Sequence, residues 1–295
     1  LAVLPRVESA LNKPHFTHFA TEEVGFHGLA PDFLAYRSVA QGLTALAREA
    51  DDPQVALSYI SLNLRWANKS ESGTLIELMI ELAQRSLALE PIEGWLEKAN
   101  REQLQRLLAL LQTHRLQPQR FAETLGREAY LADLAFLSLR HDGKRYAGDF
   151  APWMQWLPTS YWESERKAYF NLHSERMISV SEMSLISDPN LEERLPFSLG
   201  ARILVPNVSK AQLRFREIHS KEAQLVLKTA LEIYRRDHGV YPERLEELRM
   251  KELPIDMLDP RRLGHKGGFD YRRKGAGYEL RGHSAEALEK KPARG

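Results

Sequence analysis

No cysteine occurs among the 295 residues. Disulfides, thiolate zinc sites and cysteine nucleophiles are excluded together. The compartment stays open, because a well-cored domain needs no disulfide outside the cell either. No run of about 18 apolar residues is present, so no segment reads as a membrane-spanning helix. Net charge is almost absent, at a formal +1. The spacings GxSxG, HExxH, GxxxxGKS/T and GxGxxG do not occur. The motifs therefore call for no catalytic set, cofactor or metal, although acid–base sites assembled in space leave no such spacing.

What the chain does have is enough apolar material for a core: 43% hydrophobic residues against 27% charged ones. Its charge is unevenly placed. Residues 210–295 carry 20 Lys and Arg against 14 Asp and Glu, a net of +6, and the remainder carries 21 against 26, a net of −5. An acidic N-terminal part and a basic C-terminal part point to two units. Residues 1–30 read as an approach segment with a short helix near Val7 to Leu11. His15, His18 and His27 lie close together there, but Pro14, Gly25 and Gly28 argue for loop, and no carboxylate completes a metal site.

Residues 31–140 read as helices joined by short turns, a helical bundle. Val39, Leu43, Leu46 and Ala47 mark the inner face of the first helix, and Asp51-Asp52-Pro53 turns the chain into the second, which carries Ala56, Tyr59, Ile60 and Trp66. That helix–turn–helix resembles one unit of a TPR-type repeat, without a second copy at a fixed period. Gly73-Thr74-Leu75-Ile76-Glu77 resembles the processing site of type IV prepilins, a Gly followed by a Glu in an apolar helix. Glu81, Gln84 and Arg85 interrupt the run, at roughly 2.5–3.5 kcal/mol for a charge at a bilayer centre, so we read an amphipathic core helix. Leu104, Leu107, Leu108 and Leu111 define the next long helix, and Phe121 to Phe136 a further one.

Residues 141–206 read as an irregular segment rich in aromatics and proline. Trp153, Trp156 and Trp162 form a candidate aromatic binding face, able to stack on sugars, peptides or bases; the alternative is packing against the helices. Glu163 and Glu165 invite comparison with the paired carboxylates of glycosidases, but at i and i+2 they diverge on a helix, and we read an exposed charged turn.

Residues 207–295 hold the clearest pattern. Ala223, Val226, Leu227, Ala230, Leu231 and Tyr234 form one stripe of a long amphipathic helix, with Glu222, Gln224, Lys228, Glu232, Arg235 and Arg236 on the wet side. Gly239 stops the helix and Pro242 opens a short one with Leu245 and Leu248. Phe269 to Arg272 pairs with Tyr278 to Arg281 as a β-hairpin.

This order resembles the globular half of the major pseudopilins of type II secretion systems. The residues that carry the resemblance are Tyr234, Asp237, Gly239, Tyr241, Pro242, Leu245, Leu248, Leu253, Pro254, Asp259, Pro260, Phe269, Tyr271, Gly277, Tyr278 and Leu280. The chain as a whole resembles bacterial proteins, common in planctomycete-like genomes, that place a helical region before such a tail and usually begin with a membrane segment. The fold expected is mainly α, or α+β overall: a helical bundle, then a pseudopilin-like long helix with a small antiparallel hairpin. The resemblance implies an extracytoplasmic protein of the periplasm or cell envelope. The opening Leu1-Ala2-Val3-Leu4, without Met, fits a lost membrane tether upstream.

The expected function is therefore a non-enzymatic structural or protein-interaction module with a protein partner. Two alternatives remain. One is a polysaccharide hydrolase working through the Trp-rich segment. The other is nucleic-acid binding through Arg261, Arg262, Lys266, Arg272, Arg273 and Lys274, which the modest basic excess disfavours.

Overall fold

The chain is mainly α-helical with one two-stranded antiparallel sheet. The computed structural model describes residues 4–13, 33–69, 73–141, 156–181, 208–248 and 268–282. In order these form α1 (Leu4–Leu11), α2 (Phe33–Glu49), α3 (Pro53–Lys69), α4 (Leu75–Leu89), α5 (Ile92–Leu96), α6 (Arg101–Thr113), α7 (Gln119–His141), α8 (Thr159–Ser181) and α9 (Val208–His238). A 3₁₀ turn (Leu245–Leu248) and the strands β1 (Asp270–Lys274) and β2 (Gly277–Arg281) follow.

Local chemistry sets the helix starts. Asp52 accepts the Gln54 N–H at 2.8 Å and so opens α3. At α4, Thr74 and Glu77 form a reciprocal capping box: Glu77 accepts the Gly73 and Thr74 N–H groups at 2.7 Å each, and the Thr74 hydroxyl accepts the Glu77 N–H. The Gly-then-Glu spacing noted in the sequence is thus a helix cap. Gly73 lies close under Arg127: a Cβ there would stand 3.0 Å from Arg127 Nε and would make that side chain shift. A second box, Asn100 with Gln103, opens α6.

The helices α2 and α3 pack antiparallel-fashion through Ala40, Leu43, Leu62 and Trp66, with Val7 and Leu11 of α1 against them. Buried Asn63 locks the pair, donating to Ala40 O and Thr44 Oγ1. The main core joins α3, α4, α5, α6, α7 and α9, with Leu78, Leu82, Leu104, Leu107 and Leu225 among its most buried members.

α9 does not present the single stripe expected from the sequence. It has two buried faces. Phe215, Ile218, Leu225, Val226 and Ile233 belong to the main core, and Ala223, Leu227, Ala230 and Leu231 belong to a separate core with Tyr241, Leu245, Leu248, Phe269 and Leu280. The two sets occupy adjoining arcs that together cover most of the helix circumference, so α9 is largely buried. Glu222 and Glu232, read as wet, are consequently buried.

The irregular reading of residues 141–206 is corrected over its described part, where α8 runs for 23 residues. Its buried stripe is Trp162, Glu165, Tyr169, Leu172, His173 and Arg176. The spacing is helical, but half of those residues are polar, so hydrophobicity alone hides the period. α8 packs on α7 through Ala132 and Phe136, with the Phe136 and Tyr169 rings 5.8 Å apart.

The element that holds α4 to α9 is a buried ion cluster. Arg85 is only 1% exposed. Its Nε donates to Glu81 at 3.0 Å and its Nη1 to Glu222 at 3.0 Å and to the His114 carbonyl at 2.6 Å; Nη2 reaches Asn68 Oδ1 at 2.8 Å. The second Glu222 oxygen accepts the Leu116 N–H at 2.8 Å. Burial pulls the guanidinium pKa down, but the charges of Glu222 and Glu81 outweigh it and leave it raised. Burial likewise pushes the Glu222 carboxyl up, against the pull of Arg85. Removing one partner strands the other charges in a dry interior. We expect Arg85→Met to cost about 3–5 kcal/mol in urea unfolding, and Arg85→Met with Glu81→Leu and Glu222→Met to recover most of that loss.

Candidate functional site

Of the residues singled out in the C-terminal part of the sequence, the described ones gather at the C-terminal end of α9. Gly239 adopts φ +76° there, and its N–H bonds to Arg235 O at 2.8 Å, closing the helix. The chain then doubles back, so that Tyr241 lies one helical turn or two from its own α9 partners. Its hydroxyl donates to Glu232 at 2.5 Å, its ring meets Tyr278 at 4.7 Å edge-on, and the Arg235 guanidinium sits 5.5 Å over it. Glu232 also accepts both Nε and Nη2 of Arg235, at 3.0 and 2.7 Å. Burial and then the Glu232 carboxylate push the Tyr241 hydroxyl well above the usual phenol range, so it stays a donor.

The hairpin is seated on this turn. Tyr271 donates to the Pro242 carbonyl at 2.6 Å, and Tyr278 is pushed far up by burial. The register pairs Tyr271 with Leu280 and Arg273 with Tyr278, with Lys274 opposite Gly277 across the two-residue turn Gly275-Ala276. Gly275 takes φ +57°, which only glycine adopts without strain. Leu245 and Leu248 fill the space beneath. Tyr234 is half-buried, stacks on His238 at 4.0 Å and reaches Glu247. Asp237 leaves the module: Arg101 of α6 grips it with two bonds, at 2.5 and 3.2 Å, and holds its carboxyl below the usual carboxylate range. Arg236 follows, donating to the Glu97 and Ala99 carbonyls at 3.0 and 3.1 Å. The end of α9 therefore ties the hairpin to the helices. Asp259 and Pro260 lie outside the described residues.

Between the α9 turn and the hairpin turn lies a cleft of about 440 Å³, with Arg235, Arg236, Val240, Tyr241 and Ala276 on its walls. Val240 is 48% exposed. Arg235 and Arg236 are its charged residues, and no Asp or Glu lines it. It can hold an anion or an acidic side chain.

The proposed aromatic face is not brought together. Trp162 is 3% exposed and packs in the α7–α8 core, whereas Trp156 is 79% exposed at the start of α8; Trp153 lies outside the described residues. Glu163 is exposed and Glu165 buried, both on the helix α8 and not on a charged turn. Of the basic residues considered for nucleic acid, Arg272 is exposed on β1, Arg273 is paired with Glu243 and Lys274 with Glu279, while Arg261, Arg262 and Lys266 lie outside the described residues, as do His15, His18 and His27. Among the described residues no group of three His, Asp or Glu is placed to hold a metal ion, and no helix is long and apolar enough to cross a membrane.

Sequence reasoning missed the mixed buried face of α4, where polar residues lie beside Leu78 and Leu82. Glu77, Glu81, Gln84 and Arg85 are buried, and Ile76 is 65% exposed with Met79 beside it on the outer face. The signal was available: Glu81, Gln84 and Arg85 recur at i, i+3 and i+4, one stripe of an otherwise apolar helix.

Tyr241→Phe deletes the hydroxyl that faces buried Glu232 and keeps the ring. We expect it to cost about 1–3 kcal/mol in thermal or urea unfolding, with little change in helix content by circular dichroism. Comparison with protein-family models, curated proteins and solved structures finds no match for this chain.

Proposed function

We propose that this protein is a non-enzymatic structural and protein-interaction module of the cell envelope, related to pseudopilin-like proteins and tethered through a segment upstream of Leu1. The observation that carries the reading is the use made of the tail residues. Tyr241, Glu232, Asp237 and Arg236 are spent on bonds that fix the hairpin to α9 and α9 to the helices. Such a junction transmits position, not chemistry. Two further features support it. The outer face of α4 exposes Ile76 and Met79, apolar surface that a partner could cover. The order of long helix, glycine turn, short helix and hairpin follows the resemblance to pseudopilin tails.

The test is fractionation of the full-length protein in a bacterium that encodes it, with a photo-crosslinking residue at Ile76 or Met79. The reading expects the protein in the envelope fraction and a discrete adduct with one other polypeptide, formed before lysis. It is overturned if the protein is cytosolic, or if the purified chain hydrolyses a polysaccharide and loses that activity on substitution of Glu163 or Glu165.

A further inference from the structure

The cleft at the end of α9 has unspent capacity. Arg235 places Nε and Nη2 on Glu232, and Arg236 places Nη2 on the two carbonyls of the α5–α6 connection. Each guanidinium carries five N–H donors. The described residues supply no partner for Nη1 of Arg235, nor for Nε and Nη1 of Arg236. These groups are held from behind by the bonds already made, so their orientation is fixed before anything binds. Beside them stand an exposed aliphatic surface, Val240, and the edge of Tyr241. On the far wall the Gly275-Ala276 turn is bare of side chains larger than methyl, so an extended backbone can approach.

We propose that this cleft binds an acidic peptide segment of a partner protein, a carboxylate lying between Arg235 and Arg236 and a neighbouring aliphatic side chain on Val240. Charge complementarity supports this occupant: Arg235 and Arg236 line the cleft and no Asp or Glu does, Glu232 being buried behind Arg235 and Tyr241. Paired, preoriented guanidinium groups match a carboxylate better than ammonium groups would. A strand of nucleic acid fits less well. Arg273 and Lys274, the hairpin cations nearest the turn, are paired with Glu243 and Glu279, and Tyr241 in the cleft is buried, so it offers no open face on which a base could stack. The inference deepens the proposed function by naming the partner's chemistry at this one surface, and it rests on that reading.

The test uses the whole chain and three fluorescent peptides of equal length: alternating Glu-Leu, alternating Gln-Leu and alternating Lys-Leu. Fluorescence anisotropy should show binding of Glu-Leu alone, weakened several-fold when salt rises from about 20 to about 200 mM. Ala276→Glu puts a carboxylate into the cleft without disturbing a packed group, and should weaken binding roughly tenfold or more. Val240→Ser removes the aliphatic surface and should weaken binding of Glu-Leu several-fold. Equal binding of Gln-Leu, unchanged binding by Ala276→Glu, no binding of any peptide, or tighter binding of a labelled oligothymidine than of Glu-Leu would each overturn the proposal. None of these outcomes touches the envelope localisation or the α4 crosslink, which test the broader reading separately.

Discussion

A single guanidinium in a dry interior constrains this fold. Arg85 cannot be buried unless its N–H groups and its charge are met together. It is met by Glu81 from its own helix, by Glu222 from a helix 137 residues away, by the His114 carbonyl and by Asn68. Those partners come from α4, α9, the loop after α6 and the end of α3. No two of these elements can shift without uncovering a charge. Apolar packing around the cluster supplies the bulk of the stabilisation, but it is tolerant of sliding. The ion cluster sets the register at which α4 and α9 meet.

That register then reaches the far end of α9. Once Glu222 is fixed at its middle, Ala223, Leu227, Ala230 and Leu231 must face away from the main core, and the hairpin finds its apolar seat there. A second buried carboxylate, Glu232, does for the hairpin module what Glu222 does for the helices. It gathers Arg235 and the Tyr241 hydroxyl and fixes the turn after Gly239. Arg101 on Asp237 and Arg236 on the α5–α6 carbonyls close the junction from the other side. The cleft proposed to take an acidic peptide is bounded by these same residues. Its geometry is therefore as rigid as the junction, and a partner held there would be positioned relative to both the helices and the hairpin.

Sequence patterning read most of the helices and the hairpin, for physical reasons that are visible residue by residue. Leu104, Leu107, Leu108 and Leu111 of α6 obey a simple rule, apolar in and polar out, and the element is found within two residues. The hairpin register follows from alternation about a glycine turn. The rule fails where burial is polar. In α8 the inward stripe includes Glu165, His173 and Arg176, so a regular helix looks irregular. In α9 the inward Glu222 and Glu232 look like solvent-facing charges, and in α4 the apolar Ile76 and Met79 look like core. The failures have a common origin: hydrophobicity alone does not mark a buried charge, and for Glu222 the partner Arg85 lies 137 residues away. The tail residues were legible as a group, whereas their network was not, since Arg101 and Arg236 act across the α6–α9 contact. The aromatic face was suggested by composition, and packing divided it: Trp162 went to a core and Trp156 to solvent.

If the ion cluster governs the meeting of α4 and α9, it cannot open while those helices remain closed. The Leu116 amide reports on this directly, because it lies between α6 and α7 and its hydrogen bond is made to the Glu222 carboxylate and not to a helix carbonyl. Native-state hydrogen exchange of that amide, followed against denaturant together with amides in α4 and α9, is the most direct measurement. The account predicts that Leu116 exchanges only through the same global opening as Leu82 and Leu225, with the same free energy and the same denaturant dependence. Exchange of Leu116 through a local opening, at lower free energy and without denaturant dependence while α4 and α9 stay protected, would contradict it.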